Sequence, residues 1–581
     1  MRAFSKTAGY RASIGAAVLL MMFALSTIGF AQSKTANSPK PHIEIAADEK
    51  AEQEIQRIKD PDERVTAIVK FMAKYPDYPF LRSVSYSMTS LIKHNHDDPG
   101  KVRALVAKFQ AGTQNAEPFA RAEFSYEVSL SLQQNDVLPE DAEKIAREGL
   151  NFSNQDDYIA NERRISELKE KYQHEKNPDR APGVFSVDEA KEEYVAEHSA
   201  QIANMGDIER KFGKTEEAEK YYKQAYVIQP SMGAALGLSE VYETRGDRND
   251  ALKYLSDAAL SGRLSPEKLS HLADLYSEVY PVKSAKSVSD YLDVLYRERF
   301  HSPVAASKYV PDPKRSTRVV LAEMITGSGC EPCTAVDLAF DAALNRYDVT
   351  ELALIVYHMH APTSDPLANQ SSVERIASYG EDSAPSVYLD GKRVDVGEGL
   401  QTETPRVFES LIHAVDARLL VPAGGNLEVS AKLSGAIVEV KVSGTGLQNP
   451  DVGRHLQIAL VENEVSYSGE NGFRFHSMVV RNVAQSSKDS SGFPLPKTAD
   501  FTVNYSFGLD QIMAANLKYY DEYIADLKAR TGIAATFREK RYVIDPHKLS
   551  VVAFIQDDGT KGILQSAEVA VPAPDAKGNG G

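Results

Sequence analysis

The chain has 581 residues, 42% hydrophobic and 25% charged, which is the make-up of ordinary folded protein and too much length for one hydrophobic core. Its formal charge of −16 excludes a general affinity for nucleic acid or anionic membrane surfaces, since both need an excess of Lys and Arg. With two cysteines in all, no framework of structural disulfides can exist.

Taken from the start, Arg2, Lys6 and Arg11 precede an apolar run from Ile14 to Phe30 that ends in Gly29-Phe30-Ala31. This is the layout of a secretory signal cleaved after Ala31. Residues 1–31 are therefore expected to be a signal peptide, and the mature chain to be exported, periplasmic or secreted. An uncleaved anchor is the alternative. No later segment is long and apolar enough to cross a bilayer, so no stable membrane span is expected after cleavage.

Residues 40–300 are rich in Ala, Glu, Lys, Leu and Tyr at helical spacing and are expected to be all-helical. Within them Gly213, Ala218, Tyr221 and Ala225 recur one repeat later as Gly246, Ala251, Tyr254 and Ala258. Asp62 to Pro76 reads as a further, degenerate helix closed by proline. The small and aromatic positions resemble the tetratricopeptide pattern, in which Ala and Gly let antiparallel helices approach and aromatics fill the gap between neighbours. A helical bundle without true repeats is the alternative. Such a surface would hold an unidentified partner protein and carry no chemistry.

Pro311 and Pro313 mark a linker. Beyond it, Arg318 to Met324 reads as a strand, Cys333 to Tyr347 as a helix, and Leu352 to His358 as a buried strand. Ser372 to Tyr379 is a helix, Val387 to Leu389 a strand, and Asp390-Gly391 a hairpin turn. Thr404-Pro405 opens a last helix, with Thr as N-cap. From Asn426 the pattern turns to period two: Leu427, Val429, Ala431 and Leu433, then Val438, Val440 and Val442, then Leu456, Ile458 and Leu460. Residues 424–572 are expected to form a β-sandwich, with a helix inserted over 511–531 and a loose tail over 573–581. The expected fold class is thus multidomain: all-α repeats, an α/β domain over 316–420, then the β-sandwich.

Cys330-Glu331-Pro332-Cys333 lies after a strand and opens a helix. There the helix N-terminus favours a thiolate, so Cys330 is expected to be the exposed nucleophile and Cys333 the buried resolving thiol. At these residues the chain resembles the thioredoxin superfamily, over about 316–420 and in its β-α-β-α-β-β-α order. The resemblance implies a cis-proline at Pro385, within Ala384-Pro385-Ser386, that faces the cysteines; an ordinary trans proline is the alternative. It also places Glu323 close to the family's buried acid, which exchanges a proton with the resolving thiol; a glutamate facing water is the alternative. Gly329 departs from the tryptophan usual before the first cysteine, while Glu-Pro between the cysteines resembles some reducing proteins of cytochrome c maturation.

Thr326-Gly327-Ser328-Gly329-Cys330, Tyr357-His358 followed by Asp365-Pro366, and Tyr388-Leu389-Asp390-Gly391 are similar to exported thioredoxin-fold proteins that end in an immunoglobulin-like domain. The function this implies is thiol-disulfide exchange with thiols and disulfides of exported proteins. A scaffold with a structural thioredoxin-like module is the second reading. The third is a copper or zinc site of Cys330, Cys333 and His358, with His360 nearby. Solvent-facing or hydrogen-bonded histidines, His476 among them, are the plainer alternative. No P-loop, G-x-S-x-G, H-E-x-x-H or dinucleotide fingerprint occurs, so no cofactor and no second active site are expected.

Overall fold

A computed structural model describes residues 54–55, 57–74, 81–176, 185–281, 287–448, 453–486, 492–532 and 537–572. The expected signal at 1–31, the Tyr75-Pro76 helix end and the tail at 573–581 lie outside the described residues. The chain divides into two compact units, one of residues up to 258 with 274–281, the other of 259–273 with 282 onward.

Helices follow one another as α1 (Pro61–Lys74), α2 (Leu81–Asn95), α3 (Pro99–Thr113), α4 (Pro118–Gln134), α5 (Pro139–Phe152), α6 (Gln155–Lys176), α7 (Val187–Lys211), α8 (Thr215–Ile228), α9 (Met232–Thr244), α10 (Arg248–Leu260), α11 (Pro266–Val279) and α12 (Val288–Arg299). Their starts are written locally. Asp98 accepts from Lys101 N, Ser186 from Glu189 N and Ser231 from Ala234 N, each satisfying a donor that the first turn leaves unpaired.

The repeated positions prove structurally equivalent. Gly213 and Gly246 both take left-handed φ, +73° and +79°, in the turns after α7 and α9, and Ala218, Ala225, Ala251 and Ala258 are all fully buried. The aromatic that fills the gap is Tyr222, one residue beyond the repeated Tyr221. It is fully buried and donates to Asp207 at 2.7 Å.

The second unit is built on a mixed sheet in the order β12-β11-β7-β8-β2-β1-β3-β4, with β9 pairing with β7. The strands are β1 (Val320–Thr326), β2 (Leu352–His358), β3 (Ser386–Leu389), β4 (Lys392–Val394), β5 (Asn426–Ser434), β6 (Ile437–Thr445), β7 (Arg454–Ser466), β8 (Phe475–Val483), β9 (Phe493–Pro494), β10 (Phe501–Gly508), β11 (Leu549–Asp557) and β12 (Ile563–Ala570). Between them run α13 (Thr334–Arg346), α14 (Gln370–Tyr379), α15 (Thr404–Leu419) and α16 (Leu509–Thr531). β1 and β2 are parallel, while β3 runs antiparallel to β1 and turns back to β4 through Asp390 and Gly391, both at positive φ, as a tight hairpin requires.

Three expectations are corrected here. The β-rich stretch is not a separate sandwich, because β8 pairs with β2 at Val356 and Val479 and carries the sheet onward. Among the described residues β10, β6 and β5 form a second sheet, which packs Val438, Val440 and Val442 against Leu456, Ile458, Leu460, Val551 and Ala553. The boundary at 300 also moves, since 259–273 and 287–299 belong with the sheet unit. Finally, Thr404 is the first helical residue rather than the cap. A 3-10 turn, Gln401–Glu403, precedes it, and its hydroxyl donates back to Gln401 O.

Candidate functional site

Cys330 and Cys333 are joined in a disulfide just past the C-terminal end of β1. Residues Glu331–Cys333 form one 3-10 turn, and α13 starts only at Thr334. Cys333 is fully buried, as expected, but Cys330 is also buried, at 5% exposure. That corrects the expectation of an open nucleophile. The Ala384–Pro385 bond is cis, and Cys330 Sγ lies 3.8 Å from Ala384 O, so the structure brings Pro385 and the cysteines together.

Glu323 belongs to a different cluster. Its side chain is fully buried and takes both Nε and Nη2 of Arg375, at 2.8 and 3.0 Å, and the Tyr379 hydroxyl. Its strand neighbour Met324 lines an internal space with Asp337, Asp341, His358 and His476. Successive strand residues point to opposite faces, so Glu323 faces α14, away from that space. A paired carboxylate there is neither a free acid nor the solvent-facing glutamate of the alternative.

A second buried acid, close to the motif in sequence, is Asp337. It follows Cys333 by four residues, one helical turn, and accepts from Thr326 Oγ1 at 3.2 Å. Burial pushes its carboxyl well above the ordinary range; the Thr326 bond opposes this, and the charges of Asp341 and Asp365 add to it. Asp341, half-buried and lining the same space, is pushed up to about 7, again chiefly by burial. The spacing from Cys333 was the available sequence signal for Asp337.

The histidines are held structurally. His358 Nδ1 donates to Asp365 Oδ2 at 2.9 Å, and the same oxygen accepts the Ser328 N–H at 2.7 Å. Asp365 thereby fixes the loop that leads into Cys330. Burial would raise its carboxyl, but His358 and the N–H groups of Ser328 and Leu367 prevail and hold it at about 2. His360 accepts from Asp365 N, stacks on Tyr523 of α16 and is held down at about 4 by burial. His476 packs edge-on to His358 at 5.2 Å, donates from Nε2 to Tyr467 O at 3.0 Å, and is lowered to about 3 by burial. No group of three His, Cys, Asp or Glu side chains that could hold a metal occurs among the described residues. A site of Cys330, Cys333 and His358 is not formed: the sulfurs bond each other, and His358 turns its Nδ1 to Asp365.

No family model and no curated protein matches the chain. Solved structures do. HBP35 of Porphyromonas gingivalis is similar over 45% of this chain and 78% of its own, at 13% identity and a TM-score of 0.31. Pseudomonas aeruginosa pilF is similar over 41% and 99%, at 13% identity and a TM-score of 0.17. At these scores the likeness carries no argument about fold or function. No helix among the described residues is long and apolar enough to cross a membrane.

Proposed function

We propose that this chain is an exported thiol-disulfide oxidoreductase whose thioredoxin-like segment spans about 316–420. Its helical unit, read as tetratricopeptide-like repeats, holds a partner protein. The observation that carries the reading is the Cys330–Cys333 disulfide at the end of a parallel strand, with Cys330 Sγ against Ala384 O beside Pro385. In the reduced form the Cys330 thiolate attacks a partner disulfide and one partner sulfur leaves as a thiol. Cys333 then attacks the mixed disulfide, so two electrons and two protons pass to the partner. We read Asp337, one helical turn after Cys333, rather than the paired Glu323, as the acid that exchanges the Cys333 proton. The buried Cys330 favours the scaffold reading as the second possibility.

The test equilibrates the mature protein in thiol-disulfide buffers and follows the cysteines by alkylation, with Cys330→Ser as control. A reversible couple is expected. A potential near or below about −270 mV marks a reductant, and one near about −120 mV a disulfide donor. A disulfide that never equilibrates would overturn the proposal and leave the scaffold.

A further inference from the structure

Buried Cys330 is contacted through its carbonyl by a residue 141 positions further along the chain. Strands β7 and β8 continue past their last paired residues, Ser466 and Phe475, into a hairpin tip. Tyr467 N donates to Arg474 O and Gly469 N to Phe473 O, both at 2.8 Å, and Gly472 N closes the turn on Gly469 O at 3.0 Å. The tip is therefore internally bonded.

It is also seated on the redox motif. Asn471 N donates to Ser328 O at 3.3 Å and Asn471 Nδ2 to Cys330 O at 3.4 Å. Gly469 comes so close that a Cβ there would stand 2.4 Å from Ser328 O, and only glycine permits that approach. Glu470 accepts from Thr363 Oγ1 at 3.3 Å. From outside, Arg263 Nε donates to Glu470 O at 3.1 Å, its guanidinium pairs with Glu331 inside the motif, and Arg538 donates to Ser468 O. Each polar contact alone is worth little in water, but together they fix one small element from three sides. Next to Cys330 in the chain, Glu331 and Pro332 are exposed, as are Asp382 and Ser383 just before Ala384.

We infer that the hairpin tip Ser468–Gly472 is a built-in cover that sets partner shape at Cys330: low-molecular-weight thiols and disulfides, and extended segments of a partner chain, reach the sulfur, and the surface of a folded protein does not. This rests on the oxidoreductase reading for its meaning, but its test needs no redox turnover. In full-length Cys333→Ser, Cys330 is the sole thiol. Its alkylation rate is compared for N-ethylmaleimide and for a maleimide on a long polyethylene glycol chain, each normalised to the urea-unfolded protein.

The long reagent should be slowed about tenfold or more beyond the small one in the folded protein, because access controls thiol reactivity. Adding Glu470→Ala and Asn471→Ala should abolish most of that difference. Arg263→Ala, which removes a surface anchor and no core contact, should lower it part-way and serves if the double variant does not fold. An equal normalised rate for the two reagents, or a difference untouched in the folded variants, would overturn the cover. A failed redox equilibration with the size difference intact would refute the oxidoreductase reading alone.

Discussion

Replacing Arg375 with Met should expose how strongly the buried pair on the α14 side is coupled. Glu323 is fully buried and Arg375 is 9% exposed, so removing the guanidinium leaves a buried carboxylate without its cation, held by the Tyr379 hydroxyl. Breaking such a pair costs about 3–5 kcal/mol. The orphaned carboxylate has one escape, which is to take up a proton. Protonating an ordinary glutamate costs about 1.4 kcal/mol for each pH unit above roughly 4.3, hence about 1 kcal/mol at pH 5 and about 4 at pH 7. The loss should therefore be about 1 kcal/mol at pH 5 and about 3–4 at pH 7. Glu323→Leu combined with Arg375→Met should recover much of it, since an apolar pair of similar volume is often as stable as the ion pair.

The chain has no Trp, so the assay is urea-dependent hydrogen exchange of the β1 and β3 amides, read by mass spectrometry at both pH values. A loss independent of pH, or one below about 1 kcal/mol at pH 7, would refute a desolvated, charge-paired Glu323.

Asp337→Asn should change the pH dependence of Cys333 alkylation in Cys330→Ser, whereas Glu323→Gln should leave it in place; the reverse outcome would restore Glu323 as the proton carrier. Asp365 is held at about 2 against an ordinary 3.8. Because its folded value is depressed, it contributes stability that is present above about 4 and lost as pH falls through about 2, roughly 2 kcal/mol at about 1.4 per unit. Acid unfolding of Asp365→Asn should lack that component. Gly213→Ala and Gly246→Ala should cost the helical unit about 1–2 kcal/mol each, because an added Cβ meets nothing within 4 Å at either site and only the left-handed backbone resists. Thermal unfolding that shows one costly and one neutral substitution would deny their equivalence.

Much of the site was legible locally. The cysteine pair, Pro385 and the strand ends depend on a few adjacent residues, and so do the two repeat copies. Pairing across distance was not. Glu323 meets Arg375 52 residues away, and nothing in either sequence neighbourhood announces it. The cover was equally silent, for Arg263 and Glu470 stand 207 residues apart. The single sheet did leave a trace. Ile458 to Val461 is an unbroken apolar run, buried throughout, the mark of a strand covered on both faces, yet period-two neighbours in β5 and β6 drew the reading towards a free-standing sandwich.

The pairing of β8 with β2 also bears on how the chain is made. When residues 320–419 first emerge, β2 is the outer strand of its half-sheet, and its hydrogen-bonding groups await a segment more than a hundred residues behind. An unpaired edge is an aggregation hazard during synthesis. The segment that carries the cysteine pair thus reaches its final form only after the C-terminal strands have arrived. A fragment ending near residue 420 would keep that edge bare, so it is expected to self-associate where the full chain does not.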